Sequence, residues 1–273
     1  MTWSIVARHP SGAFGAAVAS RFFAVGALCP YARSGVGALA TQALVNPMYG
    51  PAGLERLSAG VSPQRAIVAL TAADAGREHR QIHLVDARAR TAAHTGAQCI
   101  AWCGHLAGDG FSVAGNMLAG ERVIRDTAEA FARHAHLALG DRLILAMEAG
   151  EAAGGDKRGK QAAALRIVTT EDYPLLDVRV DDHVDPLAEL RRLYAVSLER
   201  FQPFVSCLPS RARPAGITDR AAIEREIERF QANRMREAPT SASERSSSSR
   251  PRRTAKSNRR RRGRRARCGC SLR

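Results

Sequence analysis

The chain has 273 residues, of which 45% are hydrophobic, and a formal net charge of +15. This length allows one large domain or two small ones with a sizeable buried core. The sequence contains no run of about 18 uncharged apolar residues, and its N-terminus lacks a basic region followed by an apolar one. It therefore predicts neither a transmembrane helix nor a signal peptide, and we expect a cytoplasmic protein.

The positive charge is concentrated at the C-terminal end. Residues 240–273 contain 13 Lys and Arg and one Glu, a net charge of +12, which leaves +3 for residues 1–239. The end of the chain is first Ser-rich and then Arg-rich, which predicts a disordered basic tail over residues 238–273. Such a tail is expected to bind polyanions non-specifically, although a solvated extension without a partner explains the composition equally well. It has no aromatic residue to stack on bases.

The remaining pattern predicts hairpins that alternate with helix pairs. Two short runs rich in β-formers, 2–8 and 14–21, predict an N-terminal hairpin, followed by a strand at about 35–42. The later predicted elements are helices at about 53–59 and 63–73, a hairpin of 81–86 and 91–95, a strand at 111–116, helices at about 120–136 and 140–151, a hairpin of 162–169 and 175–181, and helices at about 186–204 and 218–235. This order predicts an α+β fold, a four-layer αββα sandwich in one domain over residues 1–237, with its C-terminal helices from about residue 185.

Residue 2, at the start of the first predicted strand, is Thr. Removal of the initiator Met, which is common before a small residue, would leave a free α-amino group beside the Thr2 hydroxyl. That amine can act as general base for the hydroxyl, and its ordinary pKa of about 7.7–8.0 leaves an appreciable neutral fraction near pH 7. Ser4 shares a face with Thr2 by the two-residue period but would lack the free amine. The alternative interpretation of Thr2 is an ordinary strand residue.

Several motifs in order resemble the bacterial family called domain of unknown function 1028 (DUF1028). They are TWSIVAR at 2–8, VASRF at 18–22, GALCP at 26–30, ATQA at 40–43 with NP at 46–47, AGNML at 114–118 and GGDKRGKQ at 154–161. The resemblance runs from about residue 2 to about residue 227. That family is grouped with the N-terminal nucleophile (Ntn) hydrolases, which include proteasome subunits and amidases. The resemblance thus implies an αββα sandwich and the Ntn mechanistic class, without naming a substrate.

Two further residues are candidates for the chemistry. Asn116, which ends the strand predicted at 111–116, could donate from its amide to the oxyanion that forms on an attacked carbonyl. The alternative is a simple strand-terminating turn. Arg21 would help to keep the Thr2 amine neutral, and the alternative is a salt bridge at the sheet edge.

Five more residues are candidate substrate contacts. Ser20, Thr41 and Gln42 close two predicted strands that would lie near the N-terminus if the sheets pack as proposed. Asp156 and Lys157 belong to the segment 154–161, which lacks the spacing of a nucleotide-binding phosphate loop. We interpret it as a loop whose polar groups face a substrate pocket.

A zinc site is not predicted. Cys99 and Cys103 have metal-like spacing and lie near His94 and His105, but no second Cys pair or His pair is placed to complete a set. Core cysteines and hydrogen-bonded histidines are the better interpretation. We expect reduced thiols, no metal and no organic cofactor.

The sequence thus favours an Ntn-type amidohydrolase that cleaves a small amide or peptide-like bond through an acyl-enzyme on Thr2. Two other functions stay open: a non-catalytic binding or assembly protein on the same fold, which could self-associate, and a protein that associates with nucleic acid through its basic tail.

Overall fold

The computed structural model describes residues 2–237, and the tail predicted over 238–273 lies outside them. Its strands are β1 (Thr2–Arg8), β2 (Phe14–Ser20), β3 (Pro30–Arg33), β4 (Gly37–Ala43), β5 (Arg80–Asp86), β6 (Thr91–Thr95), β7 (Gly104–Gly108), β8 (Phe111–Asn116), β9 (Ala162–Val168) and β10 (Leu176–Val180). Its helices are α1 (Tyr49–Ser58), α2 (Pro63–Ala72), α3 (Glu121–Arg133), α4 (Leu139–Ala152), α5 (Pro186–Glu199), α6 (Phe201–Val205) and α7 (Arg220–Glu237).

The strands form two antiparallel sheets. One has six strands in the order β10-β9-β2-β1-β8-β7, and the other has four in the order β3-β4-β5-β6. Helices α3, α4 and α5 pack on the six-stranded sheet, helices α1 and α2 pack on the four-stranded sheet, and the two sheets pack on each other. The predicted four-layer αββα sandwich is confirmed.

β1 lies inside the six-stranded sheet, and its side chains alternate between two cores. Trp3 and Ile5 belong to the core beneath the helices, whereas Val6 belongs to the core between the sheets. Helix α4 approaches β1 closely at Gly150, where a Cβ would lie 2.8 Å from the Trp3 indole nitrogen. By the two-residue period, Thr2 faces the layer between the sheets.

Four elements differ from the prediction, two strands and two helices. Strands β3 and β7 were not predicted, because both are sheet edges and carry Pro or Gly, which strand patterns normally exclude. Helix α1 begins before residue 53, since Pro51 lies in its first turn, where no backbone N–H is needed. The helix predicted to residue 204 is interrupted at Arg200, because Pro203 cannot donate to the carbonyl four residues earlier.

Residues up to Gln231 form one compact unit, and a second unit begins at Ala232 within α7. No helix within residues 2–237 is both long enough and apolar enough to span a bilayer.

Candidate functional site

Thr2 lies at the end of a central strand, between two polar residues. In the sheet register it stands opposite Ser20 of β2 and opposite Asn116 of β8. Its side chain is buried, with 4% of the residue exposed, and its Oγ1 donates a hydrogen bond to Ser20 Oγ at 3.0 Å. The strand pairing therefore holds the Thr2 hydroxyl in one place in the layer between the sheets.

Two side-chain amides hold the Thr2 carbonyl oxygen. Gln42 Nε2 donates to it at 3.3 Å, and Asn116 Nδ2 donates at 3.5 Å. Both amides also donate to Gln81 Oε1, at 2.8 and 3.1 Å respectively. Gln81 thus ties the end of β4 in one sheet to the end of β8 in the other.

The orientation of the Gln81 amide follows from its other contacts. Its Nε2 lies 2.9 Å from Gly115 O and 3.0 Å from Gly104 O, which are acceptors only. The nitrogen must point toward these carbonyls, so the oxygen faces Gln42 and Asn116.

Ser4 is held by a second set of buried contacts. Its Oγ donates to Gln42 Oε1 at 2.7 Å and lies 2.8 Å from His83 Nε2. Because its single proton points to Gln42, Ser4 accepts from the His83 ring. Burial lowers the pKa of His83 to about 3, with a further contribution from His105, so the ring is neutral and protonated on Nε2. This direction is opposite to the one a Ser–His nucleophile pair needs.

Two clefts meet at the Thr2 end of β1 and share Phe22 and Ala43 as walls. The first has a volume of about 50 Å³ and is here called the apolar cleft. It is lined by Thr2, Phe22, Val25, Leu28, Cys29, Thr41, Gln42, Ala43 and Val45. The second has a volume of about 250 Å³ and is here called the mixed cleft. It is lined by Phe22, Ala43, Leu44, His79, Gln98, Cys99, Ile100, Asn116, Met117 and Arg158.

The strand ends beside Thr2 have unusual backbone conformations. Ala43 follows Gln42 with φ 70°, and Met117 follows Asn116 with φ 51°. Non-glycine residues rarely occupy this left-handed region, and such residues cluster at functional sites.

The structure brings four of the predicted residues to Thr2. Ser20, Gln42 and Asn116 contact it directly, as described above. Thr41 lines the apolar cleft and donates from Oγ1 to Asn46 O at 3.2 Å. Their catalytic and substrate-binding roles stay predictions.

The other three predicted residues lie together in and beside the segment 154–161. Arg21 is exposed, and its Nη1 donates to Arg158 O at 3.3 Å. Asp156 is buried, accepts from the Arg21 backbone N–H at 3.0 Å and pairs with Arg158 at 2.8 Å. Lys157 Nζ donates to Ala101 O at 3.0 Å, and its backbone N–H donates to Met117 O. The segment is therefore tethered to the residues that follow Asn116, and its role in substrate binding also stays a prediction.

Gln81 and His83 were missed by the sequence analysis. Both are fully buried, although they are the polar members of an alternating strand. Such alternation normally indicates a solvated face, but a strand covered on both faces must bury its polar residues with hydrogen-bond partners. The predicted four-layer fold therefore already implied that Gln81 and His83 would be buried.

The Cys and His residues considered for zinc each have a protein partner. Cys103 Sγ donates to Cys99 O, His94 Nε2 lies 3.0 Å from Arg77 O, and His105 Nδ1 lies 2.9 Å from Thr95 Oγ1. Burial raises the pKa of both thiols. Over residues 2–237, no group of three or more His, Cys, Asp or Glu side chains is arranged to hold a metal ion.

Comparison with known proteins identifies the family. A model described as "Family of unknown function (DUF1028)" matches residues 2–190. The chain belongs to the DUF1028 family. The match includes every residue of the Thr2 site described above. No curated protein matches the chain significantly.

Two solved structures are similar to this DUF1028 chain. Protein SPO2555 from Silicibacter pomeroyi, also described as DUF1028, is 29% identical with a TM-score of 0.74, and the alignment covers 80% of this chain and 96% of that one. Anbu (ancestral beta-subunit) from Yersinia bercovieri is 13% identical with a TM-score of 0.36, over 72% of this chain and 94% of that one.

Proposed function

We propose that this DUF1028 protein is an Ntn-type amidohydrolase that cleaves a small amide or peptide-like bond through an acyl-enzyme on Thr2. The observation that carries the proposal is the position of the Thr2 side chain. It lines a cleft at the end of a central strand, with its hydroxyl held by Ser20 and its carbonyl held by two amides. A nucleophile that must meet a substrate requires this combination of access and fixed geometry.

The proposed reaction requires removal of Met1, which exposes the Thr2 amine. The neutral amine accepts the hydroxyl proton while Oγ1 bonds to the substrate carbonyl carbon. The protonated amine then gives its proton to the leaving nitrogen, the C–N bond breaks, and an ester on Thr2 remains. Water attacks this ester, which releases a carboxylic acid and restores the hydroxyl.

Asn116 is the proposed donor to the oxyanion. Its 3.5 Å contact with the Thr2 carbonyl is at the long limit of hydrogen bonding. This N–H therefore makes only a weak hydrogen bond in the free protein and can turn to a substrate. The second N–H is held by Gln81 at 3.1 Å, which fixes the amide plane. Removing one such donor typically costs about 10²–10³ in rate.

The first experiment measures the intact mass and N-terminal residue of the full chain before and after treatment with a β-lactone. We expect a chain that begins at Thr2 and gains one adduct on that residue. The Thr2→Ala variant should lose the adduct. The exposed Thr170→Ala variant, which also removes one Thr hydroxyl, should keep it.

Retention of Met1 in the purified protein would contradict the proposal, because no free amine would then adjoin the hydroxyl. An adduct on Ser4 or on a cysteine, with none on Thr2, would contradict it as well.

A further inference from the structure

The apolar cleft is lined mainly by hydrocarbon. Five of its residues are apolar in full: Phe22, Val25, Leu28, Ala43 and Val45. Val25 and Cys29 are buried, whereas Leu28 and Phe22 are 37% and 48% exposed, so the cleft has a closed inner wall and an accessible mouth. An aliphatic group could enter past the mouth and lose its contact with water.

The polar atoms of this cleft are engaged within the protein. Thr41 Oγ1 donates to Asn46 O, and Gln42 uses its oxygen for Ser4 and its nitrogen for Gln81 and the Thr2 carbonyl. Burial raises the pKa of the Cys29 thiol to about 12, so this residue is neutral as well. Above the ordinary pKa of the Thr2 amine, about 8, a charged group that entered the cleft would therefore lose its hydration without gaining an ionic partner.

The mixed cleft on the other side of the shared walls is also largely apolar, but it includes polar side chains. His79, Gln98, Asn116 and Arg158 line it together with apolar residues. The Thr2 end of β1 therefore lies between an apolar cleft and a mainly apolar cleft that also has hydrogen-bonding side chains. A ligand with an aliphatic end in the first cleft could place a polar group near these side chains.

We infer that the apolar cleft binds a short, uncharged aliphatic substituent of the substrate and rejects a charged group of the same size. The inference rests on the proposed function only in treating the ligand as a substrate that Thr2 then cleaves. Binding of the aliphatic group does not require the Thr2 hydroxyl. Each methylene buried in the cleft should strengthen binding about fourfold.

The test is a titration of the full chain, with ¹³C-labelled Val and Leu methyl groups, by three small amides at about pH 9, where the Thr2 amine is largely neutral. Isovaleramide should shift the methyl signals of Val25, Leu28 and Val45. Isobutyramide, which is one methylene shorter, should bind about fourfold more weakly. Succinamate, which carries a carboxylate on a chain of similar length, should bind at least tenfold more weakly than isovaleramide.

Leu28→Lys introduces a positive charge at the accessible mouth of the cleft. It should weaken isovaleramide binding at least tenfold and strengthen succinamate binding. Val196→Lys, at a residue of α5 that is 45% exposed, is the matched control and should change neither affinity. The methyl spectra of both variants report whether the fold is retained.

Equal affinity for isovaleramide and succinamate, or methyl shifts confined to other residues, would overturn the inference. Thr2→Ala should still bind isovaleramide, which separates this inference from the proposed function. If the protein binds the amides selectively but Thr2 is not labelled by the β-lactone, only the proposed hydrolase function is rejected. If Thr2 is labelled but the amides bind without selectivity, only the proposed role of the apolar cleft is rejected.

Discussion

Thr2 and Ser4 project from the same face of β1, but their neighbours give the two hydroxyls different roles. Ser4 donates to Gln42 and accepts from His83, so both its proton and an oxygen lone pair are used inside the protein. Thr2 donates to Ser20 and also lines a cleft. The difference between a structural and an accessible hydroxyl is therefore set by position along one strand.

The buried His83 should make the protein less stable at mildly acidic pH. Burial lowers the pKa of His83 from 6.5 to about 3, so below pH 6.5 the unfolded chain binds a proton that the folded chain does not. Stability therefore falls as the pH decreases from about 6.5 toward 3, by roughly 2 kcal/mol between pH 7 and pH 5. The His83→Gln variant should lack this part of the pH dependence, measured by urea unfolding at each pH.

The control for this measurement is His136→Gln, at an exposed residue, which should follow the wild-type pH dependence. Measurements at pH 5 and above also exclude Asp74, since hydrogen bonds from Asn46, Tyr49 and Arg80 hold the pKa of its carboxyl well below 3.8. Its contribution to stability is lost only as the pH falls below about 4. An unchanged slope in His83→Gln would show that folding does not change the pKa of His83.

At the scale of elements, β4 and β8 both end beside Thr2. The last residue of β4, Ala43, and the residue after β8, Met117, have left-handed φ angles. The preceding residues, Gln42 and Asn116, supply the two amides on the Thr2 carbonyl. The point at which a strand leaves the sheet sets the direction of its last side chain. The backbone at these two ends therefore contributes to the geometry of the site.

The Ala43→Gly substitution tests this conformation. A left-handed φ costs an L residue about 1–2 kcal/mol, and glycine adds about 0.5–1 kcal/mol of chain entropy to be lost on folding. We therefore expect Ala43→Gly to be neutral or to stabilise the protein by about 1 kcal/mol in denaturant unfolding. In the same strand, Ala38→Gly should destabilise it by about 1 kcal/mol or more, because Ala38 is fully buried in extended backbone. An equal decrease in the free energy of unfolding in both variants would argue against a left-handed conformation at Ala43.

At the scale of the whole molecule, most of the net charge lies in a segment that the fold described here does not include. Residues 240–273 carry +12 of the total +15. Charge of this density predicts binding to polyanions through counterion release, with an affinity that falls steeply with salt. The Thr2 site and the tail can therefore be tested separately.

Truncation after Glu237 should abolish salt-sensitive binding to duplex DNA and change the free energy of unfolding by less than about 0.5 kcal/mol. The measurements are a DNA titration at several salt concentrations and a urea unfolding curve. A full-length variant with the tail arginines replaced by Gln is the control for tail length, and it should behave like the truncated chain. DNA binding that survives truncation would place the basic surface in the folded part.

The sequence alone determined most of the local elements and their layering, but it did not predict the edge strands β3 and β7. Hairpins such as β1–β2 and β5–β6 were predictable because residue alternation and turn residues act over a few positions. The hydroxyl of Thr2 and the amide of Asn116 were candidates for the same reason, since each stands at the end of a predicted strand.

Only the tertiary structure decided which of these side chains meet. Gln81 and Gln42 lie 39 positions apart, and Asn116 lies 114 positions from Thr2. Their contacts depend on strand register and on how one sheet packs on the other, and no local pattern encodes either. Burial of Gln81 and His83 likewise follows from covering both faces of the sheet, because buried polar groups must then bond to one another rather than to water.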